Sequence, residues 1–113
     1  MMKMRKQVLL LLLFGATTCP LVTDAGATPQ IYGAGQGTCR FWTAAREYPN
    51  GVEPESLGWI QGYVSATTVL SPNSFRKTDA QRIGISMDKI CAGHPNKQIS
   101  DATLELIGDL RVK

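Results

Sequence analysis

The chain has 113 residues, 43% of them hydrophobic and 19% charged, with three cysteines and a formal net charge of +3; that length allows one small domain and excludes a multidomain enzyme. Lys3, Arg5, Lys6 and Asp24 lie within the first 27 residues, so the rest of the chain carries nine Lys/Arg against eight Asp/Glu, a net of +1. Apart from Arg76-Lys77 no basic stripe remains there, which argues against a nucleic-acid footprint.

The first segment is expected to be a secretory signal peptide. Lys3, Arg5 and Lys6 make a basic start, residues 8–14 are an unbroken apolar run, and Ala25-Gly26-Ala27 supplies the small-x-small pattern of a cleavage site, placing the cut after Ala27. The run is about half the ~20 residues that a permanent membrane helix needs. A lipoprotein would acylate Cys19, yet Ala16-Thr17-Thr18 lacks the large aliphatic residue and the Gly or Ala that such a signal carries. These features predict periplasmic localisation and no stable membrane insertion after cleavage. Residues 28–37, rich in glycine, are expected to be a flexible lead. Within them Gly33-Ala34-Gly35-Gln36-Gly37 resembles a phosphate loop only superficially, because it follows no strand and lacks the Lys-Ser/Thr of that motif.

Residues 38–113 are predicted to be an all-α domain. Thr38 suits the N-cap of a first helix reaching about Tyr48, with Cys39, Phe41, Trp42, Ala45 and Tyr48 on one broad face and Arg40, Thr43 and Glu47 opposite. PNGVEP, 49–54, reads as a turn. A second helix, about 55–70, opens on acidic residues favoured at the positive end of its dipole. Its apolar half holds Leu57, Trp59, Ile60, Tyr63, Val64, Ala66 and Leu70. Gly58 and Gly62 lower helix propensity, which implies that another backbone approaches along the Gly58, Gly62, Ser65 strip and that this helix is central. Glu53, Glu55 and Gln61 argue against reading the same spacing as a membrane dimerisation motif.

SPNSFRK, 71–77, is a Pro-broken loop that sets Phe75 beside two cations. Thr78 with Gln81 forms a capping box for a third helix with Ala80, Ile83, Met87, Ile90 and Cys91 on one stripe, and Gly93-His94-Pro95 stops it. Ser100 is the expected cap of a fourth helix. Ile99 and Leu104 are spaced as a hydrophobic staple, and Ala102, Leu106, Ile107 and Leu110 form the buried face. No segment shows a sustained strand period. The core expected from these stripes is Trp42, Trp59, Ile60, Tyr63, Val64, Ile83, Met87, Ile90, Leu106 and Leu110.

With Cys19 removed, only Cys39 and Cys91 remain, and two cysteines in a small exported chain read most simply as one disulfide. The expected architecture is therefore a small bundle of about four helices pinned by one disulfide. A thiol enzyme would pair Cys39 or Cys91 with His94, the only histidine, but an oxidised cysteine cannot attack. Zinc would need a fourth ligand and paired spacing, which two distant cysteines and one histidine do not supply. The carboxylates are spread over helix starts and solvated faces. No catalytic residue, metal ligand or cofactor is expected. The protein is read as non-enzymatic, with a protein as its partner. Pro72, Phe75, Arg76 and Lys77 have the composition of a partner-binding loop.

The assembled outline carries a resemblance. A leader, a Gly-rich lead, TCRFW, the helix WIQGYVSA, a helix ending in KIC and the capped ISDATLELIGDL together resemble small periplasmic proteins of the HdeA type. The outline is also similar to Rap/Tai-type immunity proteins of type VI secretion. The HdeA resemblance implies a compact helical fold, a disulfide at the matching Cys39 and Cys91, and binding of unfolded periplasmic proteins at low pH. The second resemblance implies a folded inhibitor that holds one effector at neutral pH, though this chain lacks the extra cysteine pair common in that group. An envelope structural protein is a third reading.

Overall fold

A computed structural model of the protein describes residues 28–47 and 52–113. The proposed leader, Tyr48 and the first three residues of the PNGVEP turn lie outside them. Residues Ile31–Lys113 form one compact unit of four helices: α1 Cys39–Glu47, α2 Val52–Leu70, α3 Ala80–Cys91 and α4 Ile99–Leu110. Among the described residues there is no strand beyond two isolated bridges, so the all-α architecture holds. Helix α2 starts three residues earlier than its acidic opening suggested, taking in Val52, Glu53 and Pro54; proline is tolerated in a first turn, where its missing N–H costs no helical bond.

Helix α1 begins on the disulfide and α3 ends on it, with the Cys39 and Cys91 Cα atoms 5.1 Å apart. The core lies between these two helices, α2 and α4. It is built from Cys39, Trp42, Ile60, Val64, Ile83, Met87, Cys91, Ile99, Ala102, Leu106, Ile107 and Leu110, with Trp59, Tyr63, Phe75 and Ile90 packed against it. All ten expected core residues are thus buried in it or packed on it. The stripes overreach at their edges: Phe41 is 45% exposed, Leu70 82% and Leu104 53%, and Ala66 is exposed too. With Gln98 as the N-cap of α4, Ile99 is its first helical residue and the Ile99–Leu104 spacing is not that of a staple.

The helix starts are held differently from the expectation. The amides of Cys39 and Arg40 donate to the carbonyls of Lys97 (2.8 Å) and Pro95 (2.9 Å), while the Ile99 amide donates to Gly37 O at 2.8 Å. The starts of α1 and α4 thus satisfy part of each other's open backbone through an antiparallel Thr38–Gln98 bridge. Gln98, with no side-chain bond, is the N-cap residue of α4, and Ser100 is buried inside its first turn. For α3 the cap is Asp79, one residue beyond Thr78, its Oδ1 accepting from the Arg82 amide at 2.9 Å. Gly93, at φ +75°, supplies the left-handed residue after α3.

Glycine placement departs most from expectation. Cβ atoms added at Gly58 or Gly62 would meet nothing within 4 Å, and both residues are exposed. The inferred backbone approach along that strip is therefore absent, although α2 does touch each of the other helices. The close approach occurs instead in the Gly-rich lead. There Gly33–Gln36 forms a 3-10 turn against α2, with Gly35 buried. A Cβ on Gly35 would lie 2.2 Å from Trp59 Cζ2, and Trp59 Nε1 donates to Tyr32 O at 2.7 Å. From Ile31 onward the lead is a packed strap.

Candidate functional site

A groove of about 360 Å³ lies between α2 and the segment joining α2 to α3. Gln61, Val64, Ser65 and Thr68, one face of α2, form one wall; Phe75 to Asp79 form the other, with Ile83 of α3 alongside. Three of the four expected partner-binding residues, Phe75, Arg76 and Lys77, therefore line a common groove. Pro72 is exposed but is not part of its lining.

The wall is shaped by the loop's attachment to the end of α4. After the tight turn at Asn73, at φ +68°, the chain runs extended beside residues 110–112. Arg76 N–H donates to Leu110 O and Val112 N–H to Ser74 O, both at 2.8 Å. This arrangement frames an antiparallel Phe75–Arg111 bridge. Arg76 also reaches Asp109 O with its guanidinium at 2.5 Å. Phe75 is half-buried against the core, with the Arg111 guanidinium carbon 5.1 Å from its ring centroid. It is thus an anchored wall residue, and the composition of SPNSFRK overstated its freedom; the attachment comes from a segment about 36 residues on, which no local pattern announces.

A second cluster, not anticipated from the sequence, joins α1 to α3. Asp88 Oδ1 accepts from Trp42 Nε1 at 2.8 Å and from Arg46 Nε at 2.9 Å, and Asp88 Oδ2 pairs with Arg46 Nη2 at 2.8 Å. Arg46 also lies over the Trp42 ring, 5.3 Å from its centroid. Bidentate pairing fixes Arg46 geometrically, and the fully buried indole gains a partner for its one donor. Arg46 and Asp88 are 42 residues apart in the chain, so no local pattern announces the contact.

For chemistry, Cys39 and Cys91 are committed to the disulfide, and His94 sits exposed in the turn after α3. Among the described residues no three His, Cys, Asp or Glu side chains gather as a metal site would require, and no helix is long and apolar enough to cross a membrane. The groove combines the buried Val64 and Ile83, the wall of Phe75 to Asp79, the cations Arg76 and Lys77 beside the anion Asp79, and the hydroxyls of Ser65, Thr68 and Thr78. Set against known proteins, the chain matches no family model, no curated protein sequence and no solved structure.

Proposed function

We propose that this is a small exported, non-enzymatic protein-binding protein of the HdeA-like kind, acting as an acid-stress chaperone of the periplasm. The leader-like residues 1–27 support export, and a disulfide in so small a chain fits an oxidising compartment. The observation that carries the acid reading is the α1–α3 seam. It is closed twice, by the covalent bond at Cys39–Cys91 and by the carboxylate-centred contacts of Asp88 with Trp42 and Arg46. At about pH 2 carboxylates as a class are protonated, so the charge of the exported chain rises from +1 to about +10, and self-repulsion then acts on the seam. The disulfide keeps the same two helices together while core surface opens around them. A light-scattering assay with an aggregating model client at about pH 2 and at pH 7 tests this: suppression at acid pH is expected, and its absence removes the chaperone reading.

One observation favours a second reading, an immunity or inhibitor protein that holds one effector at neutral pH: the groove is already formed in the folded molecule, with Phe75, Arg76 and Lys77 along one wall. Capture of a single tight partner at pH 7, lost on substitution in that wall, would select it.

A further inference from the structure

We propose that the free edge of the Phe75–Lys77 segment accepts an extended acidic segment of a protein partner as an added β-strand, laid in the groove against α2. The inference rests on the protein-binding reading and names the chemistry of its partner.

The backbone supplies the first argument. The bonds Arg76 N–H to Leu110 O and Val112 N–H to Ser74 O flank the Phe75–Arg111 pair without using its own groups. In an antiparallel ladder such a residue turns its N–H and C=O to the opposite edge, and alternation along the extended chain brings Lys77 to that same edge. Phe75 and Lys77 then offer two donors and two acceptors about 7 Å apart along the strand. The groove lies between this segment and α2, so the helix leaves space beside the edge. An unpaired edge with room next to it is the setting in which an extended peptide adds a strand.

Charge selects the occupant. The stretch 71–82 together with 109–113 carries Arg76, Lys77, Arg82, Arg111 and Lys113 against Asp79 and Asp109, five of the nine Lys/Arg after residue 27 but two of the eight acids. Asp79 is engaged with Arg82 at 3.6 Å and caps α3. Alternation puts Phe75 and Lys77 on one face of the segment and Arg76 on the other, so a strand with apolar residues on the Phe75 face, beside Val64 and Ile83, and acidic residues on the Arg76 face matches this wall and floor. The same cations repel a second copy of this basic edge, since lysine on an open edge discourages self-pairing.

The probe is a capped peptide of alternating valine and glutamate, titrated into the full exported chain by calorimetry and by amide NMR. Binding is expected, with the Phe75 and Lys77 amides shifted and slowed in hydrogen exchange. N-methylation of alternate peptide amides should weaken it about tenfold or more, and Lys77→Pro, which removes one edge donor, about fivefold, at about 1 kcal/mol per bond. Lys77→Ala, which keeps the backbone donor, should weaken it less and only at low salt. Lys77 is exposed, and near-UV circular dichroism will show whether each variant keeps the fold. Binding indifferent to N-methylation and to Lys77→Pro would overturn the proposal, as would tighter binding of a single-stranded oligonucleotide. If Lys77→Pro keeps full client suppression or effector capture, the edge is refuted and protein binding stands. If the wild-type chain does neither but binds the peptide through these amides, the edge stands and the broader reading falls.

Discussion

Gly35→Ala should destabilise the protein far more than an exposed glycine substitution would. The added Cβ would sit 2.2, 2.5 and 2.6 Å from three ring atoms of Trp59, so indole and strap must separate by roughly 1 Å to reach ordinary contact. The indole is not free to yield: its N–H is bonded to Tyr32 O at 2.7 Å and its ring stands 5.4 Å from that of Tyr63. Overpacking of this kind costs about 1–3 kcal/mol. For a domain of this size 1 kcal/mol corresponds to about 4–8 °C in Tm, so a loss near 10 °C is expected. Urea unfolding followed by circular dichroism gives the free energy, and Trp59 emission reports whether the strap has lifted. In a Trp59→Ala background the same substitution should cost close to nothing, because the colliding ring is gone. Equal stability of Gly35→Ala and wild type would refute the docked strap.

The reverse is expected at Gly58 and Gly62, where nothing lies within 4 Å: alanine at either position should raise stability by about 1 kcal/mol through helix propensity alone, read from urea midpoints at constant slope. Ser56→Ala should also stabilise, by about 1 kcal/mol, because the fully buried Ser56 Oγ meets no hydrogen-bond partner among the described residues; a loss of stability would place an unseen partner at that oxygen. Replacing Cys39 and Cys91 together by alanine should cost about 4 kcal/mol, the chain-entropy value for a closure across 52 residues, measured as the difference in unfolding free energy.

Reading helices from apolar spacing worked because three of the four bury one recognisable stripe, as at Ile83, Met87 and Cys91 on α3. Pairing Cys39 with Cys91 needed only a count and a compartment, and the geometry agrees. What escaped the sequence is non-local. Gly35 and Trp59 are far apart in the chain, so a glycine required by ring contact reads as a flexible one. At Gly58 and Gly62 the low helix propensity points to a close backbone approach, yet nothing lies within 4 Å of a Cβ at either position. The starts of α1 and α4 pair through backbone at Thr38 and Gln98, and no side-chain motif encodes that. Of the groove, its loop wall was visible in SPNSFRK; its helical wall and the tie from Arg76 to Leu110 depended on tertiary proximity.

Helix α3 joins the two features on which function is argued. Its end carries Cys91 of the disulfide, and its start carries Asp79 as cap beside the groove, with Ile83 one turn in. Twelve residues of helix place those ends about 17 Å apart, so the staple and the groove share a rigid element without sharing side chains. The contacts that shape the groove wall, the backbone bonds of Ser74, Arg76, Leu110 and Val112 and the Arg76 guanidinium on Asp109 O, lie away from the cysteines. Reduction of the disulfide therefore acts on the groove only through global unfolding: while the chain remains folded its affinity for an extended peptide should persist, and what falls is the fraction of molecules folded. The acid response proposed above concerns the other end of α3, where the Trp42, Arg46 and Asp88 contacts lie near the disulfide. The two proposals are accordingly separable by experiment on this one molecule, since acid-triggered client binding and folded-state peptide binding are assigned to different ends of the same helix.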